Sequence, residues 1–116
     1  MNKGEIYDLK STIAEFILPR LILFKEGVDK TRHPSTPDFR KDSLFAESVY
    51  PGYEDAYPSY DIVNQFWSER LGEMIFTFTY YFSPDKIDSN LEHSEIDRLV
   101  KKGFDSFVRY YDKLWV

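Results

Sequence analysis

The sequence predicts an all-α protein: a three-helix bundle with a kinked first helix and a long Tyr/Pro-rich loop. Three observations predict it. Apolar residues recur at spacings of three and four in three separate stretches, the period of one helical face. No stretch sustains the alternation of a strand. Four of the six prolines, at positions 34, 37, 51 and 58, gather between the first two periodic stretches. The central stretch is Asp61–Phe82, DIVNQFWSERLGEMIFTFTYYF. Its Val63, Phe66, Trp67, Leu71, Met74, Phe78, Tyr81 and Phe82 make a face too aromatic and too wide to stand in water alone. A helix on either side has matching apolar positions, and both are expected to pack onto it.

The first helix reads as Glu5–Glu26. Ile6, Leu9, Ile13, Phe16, Ile17, Leu21 and Phe24 trace its stripe, Lys25 lies in the last turn and Gly27 is the expected stop. Pro19 lies inside this pattern. It has no N–H to give the Glu15 carbonyl and its ring crowds that oxygen, so the helix either kinks or restarts there. The unbroken phase of the stripe favours the kink. Leu18, Ile22 and Leu23 lie off the stripe, which predicts a second covered side, by a loop or a second subunit.

The connection Val28–Ser59 has no sustained period. A loop of about 30 residues in a small domain is uncommon and usually carries function. Asp42–Ser48 is expected to form one helical turn with Leu44 and Phe45 against the core. The second helix takes Ser59 or Asp61 as N-cap, presents Glu69, Arg70 and Glu73 on its polar face, and ends at Ser83-Pro84. Gly72 suggests a close helix crossing. FTFTYYF, Phe76–Phe82, alternates briefly but continues the helical stripe. The third helix reads as Leu91–Leu114, with Ser89/Glu92 or Ser94/Asp97 as its capping box. Its stripe is Ile96, Leu99, Val100, Phe104, Phe107, Val108, Tyr111, Leu114 and Trp115, with Gly103 as a further small contact. Trp115 either folds back or joins a dimer contact.

At 116 residues the chain is expected to be one domain, 1–116, and its 42% apolar content is enough for a core. A net charge of −5 argues against direct nucleic-acid binding, which needs basic surface. With no cysteine, disulfides, thiolate catalysis and cysteine-held zinc are excluded. The polar start MNKGEIYDLK carries no signal-peptide pattern, and no apolar run approaches the roughly 20 residues of a membrane span. The expected location is the cytoplasm, with no membrane association.

No catalytic constellation is visible, and the protein is read as a non-enzyme with no cofactor. His33 and His93 have no partner at metal-ligand spacing, and no paired Glu-x-x-His of a di-iron bundle is present. Glu69 and Glu73 lie one turn apart, as exposed glutamates on a polar face commonly do. The stretch VYPGYEDAYPSYD is different. Tyrosine offers large contact area at low entropy cost, and here rings alternate with acids. Tyr50, Tyr53, Glu54, Asp55, Tyr57 and Tyr60 are the expected partner-binding surface, unless the loop buries its own rings. Arg109 and Lys113 form a second candidate, an anion or nucleotide pocket closed by loop tyrosines, although no glycine-rich phosphate loop exists.

Three features occur together in order: ILPRL-x-x-FKEG from Ile17 to Gly27, a Tyr-Pro-Gly turn from Tyr50 to Gly52, and W-x-x-x-L-x-x-M-I-x-x-F from Trp67 to Phe78. In these the chain resembles a group of small uncharacterised tailed-bacteriophage accessory proteins, in which an LPRL helix precedes a tryptophan helix. The resemblance covers about half the chain, in mostly apolar positions, and departs in the longer loop before Tyr50 and in the third helix. It carries over no catalytic role. What it implies is a phage or prophage accessory protein acting in the host bacterial cytoplasm. The expected function is therefore binding, with inhibition as its consequence, of a bacterial host or defence protein. The alternatives are a small-ligand or nucleotide-sequestering helical protein and a homodimeric scaffold.

Overall fold

The computed structural model describes residues 9–30, 36–48 and 58–114. Every regular element among them is helical: α1 (Leu9–Lys30), α2 (Ser43–Ser48), α3 (Tyr60–Phe82) and α4 (His93–Arg109), with 3-10 turns at Pro84–Lys86 and Tyr111–Lys113. The all-α expectation holds, and FTFTYYF forms the last turns of α3. α3 is the axis. α1 packs on one side of it and α4 on another, whereas α1 and α4 make no comparable contact with each other. Lys10 of α1 lies over the Tyr81 ring near the end of α3, and Asn64 near its start donates to the Val28 carbonyl near the end of α1. α1 is thus antiparallel to α3. Thr77 meets Val100 and Glu73 meets Ser106, so α4 is antiparallel to α3 as well. α1 and α4 therefore run parallel to one another.

α1 is continuous through Pro19, so the break-and-restart alternative is not what forms. Arg20 Nη1 donates to the Phe16 carbonyl at 2.6 Å, one turn back, beside the carbonyl that the proline leaves without an amide partner. The expected stop at Gly27 is overruled. The helix runs on to Lys30 because the extra turn buries Val28 completely and is bridged by Lys25 Nζ and Asp29 Oδ2 at 2.7 Å. The face that docks on α3 also differs from the expected stripe. Ala14, Leu21 and Val28 are buried, with Ile17, Leu18 and Phe24 packed beside them, while Leu9, Ile13 and Phe16 are exposed. The docked face therefore passes through the small Ala14 and keeps only Ile17, Leu21 and Phe24 of the expected stripe.

The connection to α3 supplies a core residue that periodicity does not reveal. Phe39 is fully buried, with ring centroids 5.1 Å from Phe66, 5.7 Å from Phe45, 5.7 Å from Tyr110 and 5.8 Å from Trp67. Such edge-to-face and offset contacts set a ring's negative face against its neighbour's positive edge. α2 forms as expected, with Phe45 buried and Leu44 against the core. Asp42 accepts the Phe45 amide at 2.8 Å at the helix start.

On α3 the buried face matches expectation at Val63, Phe66, Trp67, Leu71, Met74 and Phe78. Ser59 holds the N-cap position but makes no side-chain capping bond. Arg70, expected on the polar face, is buried. Its guanidinium lies over the Phe66 ring and pairs with Glu73 at 2.9 Å. Glu73 also takes Ser106 Oγ at 2.7 Å and Lys102 Nζ at 3.3 Å, which ties α3 to α4. α4 starts at His93 after Glu92, and neither expected capping box forms, since Glu92 is the N-cap without a side-chain bond. The helix ends at Arg109 and tightens into the 3-10 turn, short of the expected Leu114. Gly103, not Gly72, marks the close crossing. A Cβ on Gly103 would collide with Thr77 Oγ1 and the Glu73 carbonyl, whereas one on Gly72 would sit 3.8 Å from Lys25 Cε in ordinary contact. Thr77, buried at the same crossing, donates to the Val100 carbonyl at 2.8 Å.

Three substitutions measure these contacts by urea denaturation. Gly103→Ala is expected to cost about 2–3 kcal/mol through overpacking. Gly72→Ala is expected to gain about 0.5–1 kcal/mol from helix propensity. Phe39→Ala is expected to cost about 3–5 kcal/mol; a loss below about 1 kcal/mol would show that the ring is dispensable to the core.

Candidate docking groove

Because α1 and α4 both rest on α3 without closing on each other, a groove of 460 Å³ opens between them. Ile13, Phe16, Ile17 and Phe24 line one wall, Phe107, Tyr111 and Leu114 the other. The outer positions of both walls are open to solvent: Phe16 is 60% exposed and Tyr111 67%. Phe104 and Val108 extend the α4 wall along the same side of the helix, one turn before Phe107 and Tyr111. Exposed apolar surface that is contiguous, rather than scattered singly, marks an interaction site. Its polar members are few. Thr12 and Arg20 belong to α1, and among the described residues no carboxylate lines the groove. The Arg20 guanidinium lies 3.7 Å from the centre of the Phe16 ring, a cation–π contact at the groove wall.

The expected partner-binding residues fall differently. Tyr50, Tyr53, Glu54, Asp55 and Tyr57 lie outside the described residues. Tyr60 is the first residue of α3 and is exposed. Of the second expected site, Lys113 sits in the 3-10 turn after α4, and Arg109 is committed within the protein. Arg109 Nε bonds Asp42 Oδ2 at 3.2 Å and its Nη2 donates to Ser43 Oγ at 2.9 Å. His93 is exposed at the start of α4, and His33 is outside the described residues. Among the described residues no group of three or more acidic or histidine side chains is placed to hold a metal ion, and no helix is long and apolar enough to cross a membrane. The groove is hidden in the sequence as long as every apolar stripe is assigned to the core. The residues expected to make a second covered side do not line it: Leu18 packs on the core, and Ile22 and Leu23 are exposed outside the groove.

Behind the groove's α4 wall, one carboxylate anchors the end of that helix. Burial pushes the Asp42 carboxyl up, but the Phe45 amide, the Arg109 guanidinium and the Tyr110 hydroxyl outweigh burial and hold it below its ordinary value of 3.8. Tyr110 OH donates to Asp42 Oδ1 at 3.1 Å. Burial, then the charge of Asp42, pushes the Tyr110 phenol up to about 12.

No protein-family profile matches this chain, and neither a curated protein nor a solved structure matches it.

The carboxylate anchor makes stability depend on pH in a defined direction. The Asp42 contribution is fully present above the unfolded carboxyl value near 3.8 and is lost as pH falls through the lower folded value. The Tyr110 contribution is present below pH 10 and is lost as pH rises from 10 towards about 12. Asp42→Asn is expected to cost about 1–2 kcal/mol at neutral pH. Urea denaturation between pH 7 and pH 2 should show the gap to wild type shrinking below about pH 4; a constant gap would remove Asp42 as the acid-sensitive group.

Proposed function

We propose that this chain is a non-enzymatic interaction protein, an accessory protein of phage type that binds, and thereby inhibits, a bacterial host or defence protein. The observation that carries the interaction reading is the uncovered apolar groove between α1 and α4. The origin and the kind of partner come from the LPRL and tryptophan motifs of the sequence. In this reading the three long helices are a bundle, with α1 bent at Pro19 and the Tyr/Pro-rich connection lying across it. The tyrosine and acidic residues from Tyr50 to Tyr60 form a second contact region that adds specificity to the groove. The place of action is the host cytoplasm. The nucleotide-sequestering alternative loses ground because Arg109, its main anion donor, already has Asp42 and Ser43 as partners.

Capture from bacterial lysate, read by mass spectrometry, tests this reading on three proteins: wild type, Phe16→Asp and the double variant Tyr53→Ala/Tyr57→Ala. Wild type is expected to retain one stoichiometric host protein. Both variants are expected to lose it, with their helical circular dichroism unchanged. Capture of nothing by wild type, or a small-molecule adduct in native mass spectrometry that disappears on denaturation, would count against a host-protein partner.

A further inference from the structure

We infer that the groove accepts one amphipathic helix of a partner protein, lying antiparallel to α1 and α4 as the fourth member of a bundle and presenting a carboxylate to Arg20. The inference rests on the interaction reading and names the chemistry of the partner.

Helix geometry is the first argument. On α1, the face against α3 is Ala14, Ile17, Leu18, Leu21 and Val28. A second stripe, Leu9, Ile13, Phe16, Arg20 and Leu23, alternates steps of four and three, as in a coiled-coil seam. It lies about a third of a turn round the helix from the first, and its apolar members are all exposed. α4 repeats this arrangement. Gly103, Ser106 and Tyr110 are buried on the α3 side, and Phe104, Val108 and Tyr111 form an exposed stripe again about a third of a turn away. Two apolar faces at such an angle are what a corner helix of a four-helix bundle requires. α1 and α4 are parallel neighbours of the empty corner, so an antiparallel fourth helix completes the up-down-up-down order.

Charge is the second argument. Among the described arginines, Arg40, Arg70, Arg98 and Arg109 each pair with a carboxylate. Arg20 lines the groove and pairs with no carboxylate among the described residues; it donates to the Phe16 carbonyl and covers that ring. A helix laid on the seam brings its own residue to that level, and a carboxylate there meets the guanidinium where apolar walls exclude water. A second copy of this chain, meeting the first groove to groove, brings no such group from its described residues, since no carboxylate among them lines the groove. A fatty acid supplies a carboxylate, but an open trough between two helices leaves one side of a thin chain in water, whereas small-ligand sites bury most of their ligand.

Selection from a display library tests this. The library holds helices of about six turns with apolar seam positions and randomised flanks, selected on wild type and on Arg20→Glu. Wild type is expected to enrich Asp or Glu at one fixed register, and Arg20→Glu to enrich Lys or Arg at the same register. The helix enriched on wild type is expected to bind Arg20→Glu about tenfold more weakly, and to bind Phe16→Asp undetectably. Enrichment without a fixed charge, or equal affinity for wild type and Arg20→Glu, would overturn the carboxylate assignment. No enrichment over Phe16→Asp would overturn the helix. So would a dimer in sedimentation equilibrium that Phe16→Asp dissolves, or a thermal shift with dodecanoate that Arg20→Gln abolishes. A host protein captured equally by wild type and Phe16→Asp would overturn the inference while leaving the interaction reading intact.

Discussion

The crossing of α4 over α3 at Gly103 governs how most other residues of this structure pack. With no side chain at 103, the α4 backbone comes down onto Thr77 and the Glu73 carbonyl. Thr77 answers with a hydrogen bond to Val100, and Ser106 with one to Glu73. These bonds fix the rotation of α4 about its own axis. Once that rotation is fixed, Tyr110 must point into the aromatic cluster, and Phe104, Val108 and Tyr111 must point away from it. On α1 the small residue on the packed face is Ala14, which is fully buried. Small residues lie on the packed faces of both flanking helices, and several of the large apolar residues, Ile13, Phe16 and Tyr111 among them, are left at the groove.

The same preference for small contact residues decides which parts of the fold are legible in the sequence. α3 is legible almost residue by residue, because it is covered by several elements and most of its large residues have somewhere to go; Phe82, expected on the buried face, is exposed at its end. α1 and α4 are recognisable as helices, but their periodicity gives only part of the packed face: Ile17, Leu21, Phe24, Phe107 and Leu114 do pack on the core. A stripe counted from large apolar residues points to Ile13, Phe16, Phe104 and Val108, whereas the packed stripe passes through Ala14, Gly103 and Ser106. Between Gly72 and Gly103, spacing alone does not tell which is a contact and which is only a weak helix position. Phe39 is illegible for another reason. A lone ring in TPDFRKD belongs to no period, so only the tertiary position, between Phe66 and Trp67, reveals it. Asp42 is readable as the edge of α2 but not as the partner of Arg109 and Tyr110, which lie 67 and 68 residues away in sequence.

The charged groups divide along the same line. Glu73 gathers Arg70, Lys102 and Ser106 at the α3–α4 contact, and Asp42 gathers Arg109 and Tyr110 at the end of α4. Half-buried networks of this kind add little net stability against a well-packed apolar replacement, since desolvation offsets their attraction. Their effect is to penalise other rotations of α4, because any slip would leave a carboxylate or guanidinium buried without a partner. Arg20 stands outside both networks, on the one long helix that neither network reaches.

The energetics of the groove then limit what kind of binding it can support. Ile13, Phe16, Phe104 and Tyr111 are each about half exposed. Covering them recovers roughly half of the 1.5–3 kcal/mol that full burial of a large apolar side chain yields, or about 3–6 kcal/mol for the four. A docking helix adds a similar amount from its own apolar face. Association costs about 4–15 kcal/mol in lost freedom, and more if the partner must also fold. Apolar burial alone therefore leaves a weak complex for a flexible peptide and a useful one for a helix already formed within its protein. Discrimination among such helices cannot come from the walls, which offer similar aliphatic and aromatic surface along their length. Within the groove it comes from the few polar features, and among its described residues the guanidinium of Arg20 is the one that carries charge.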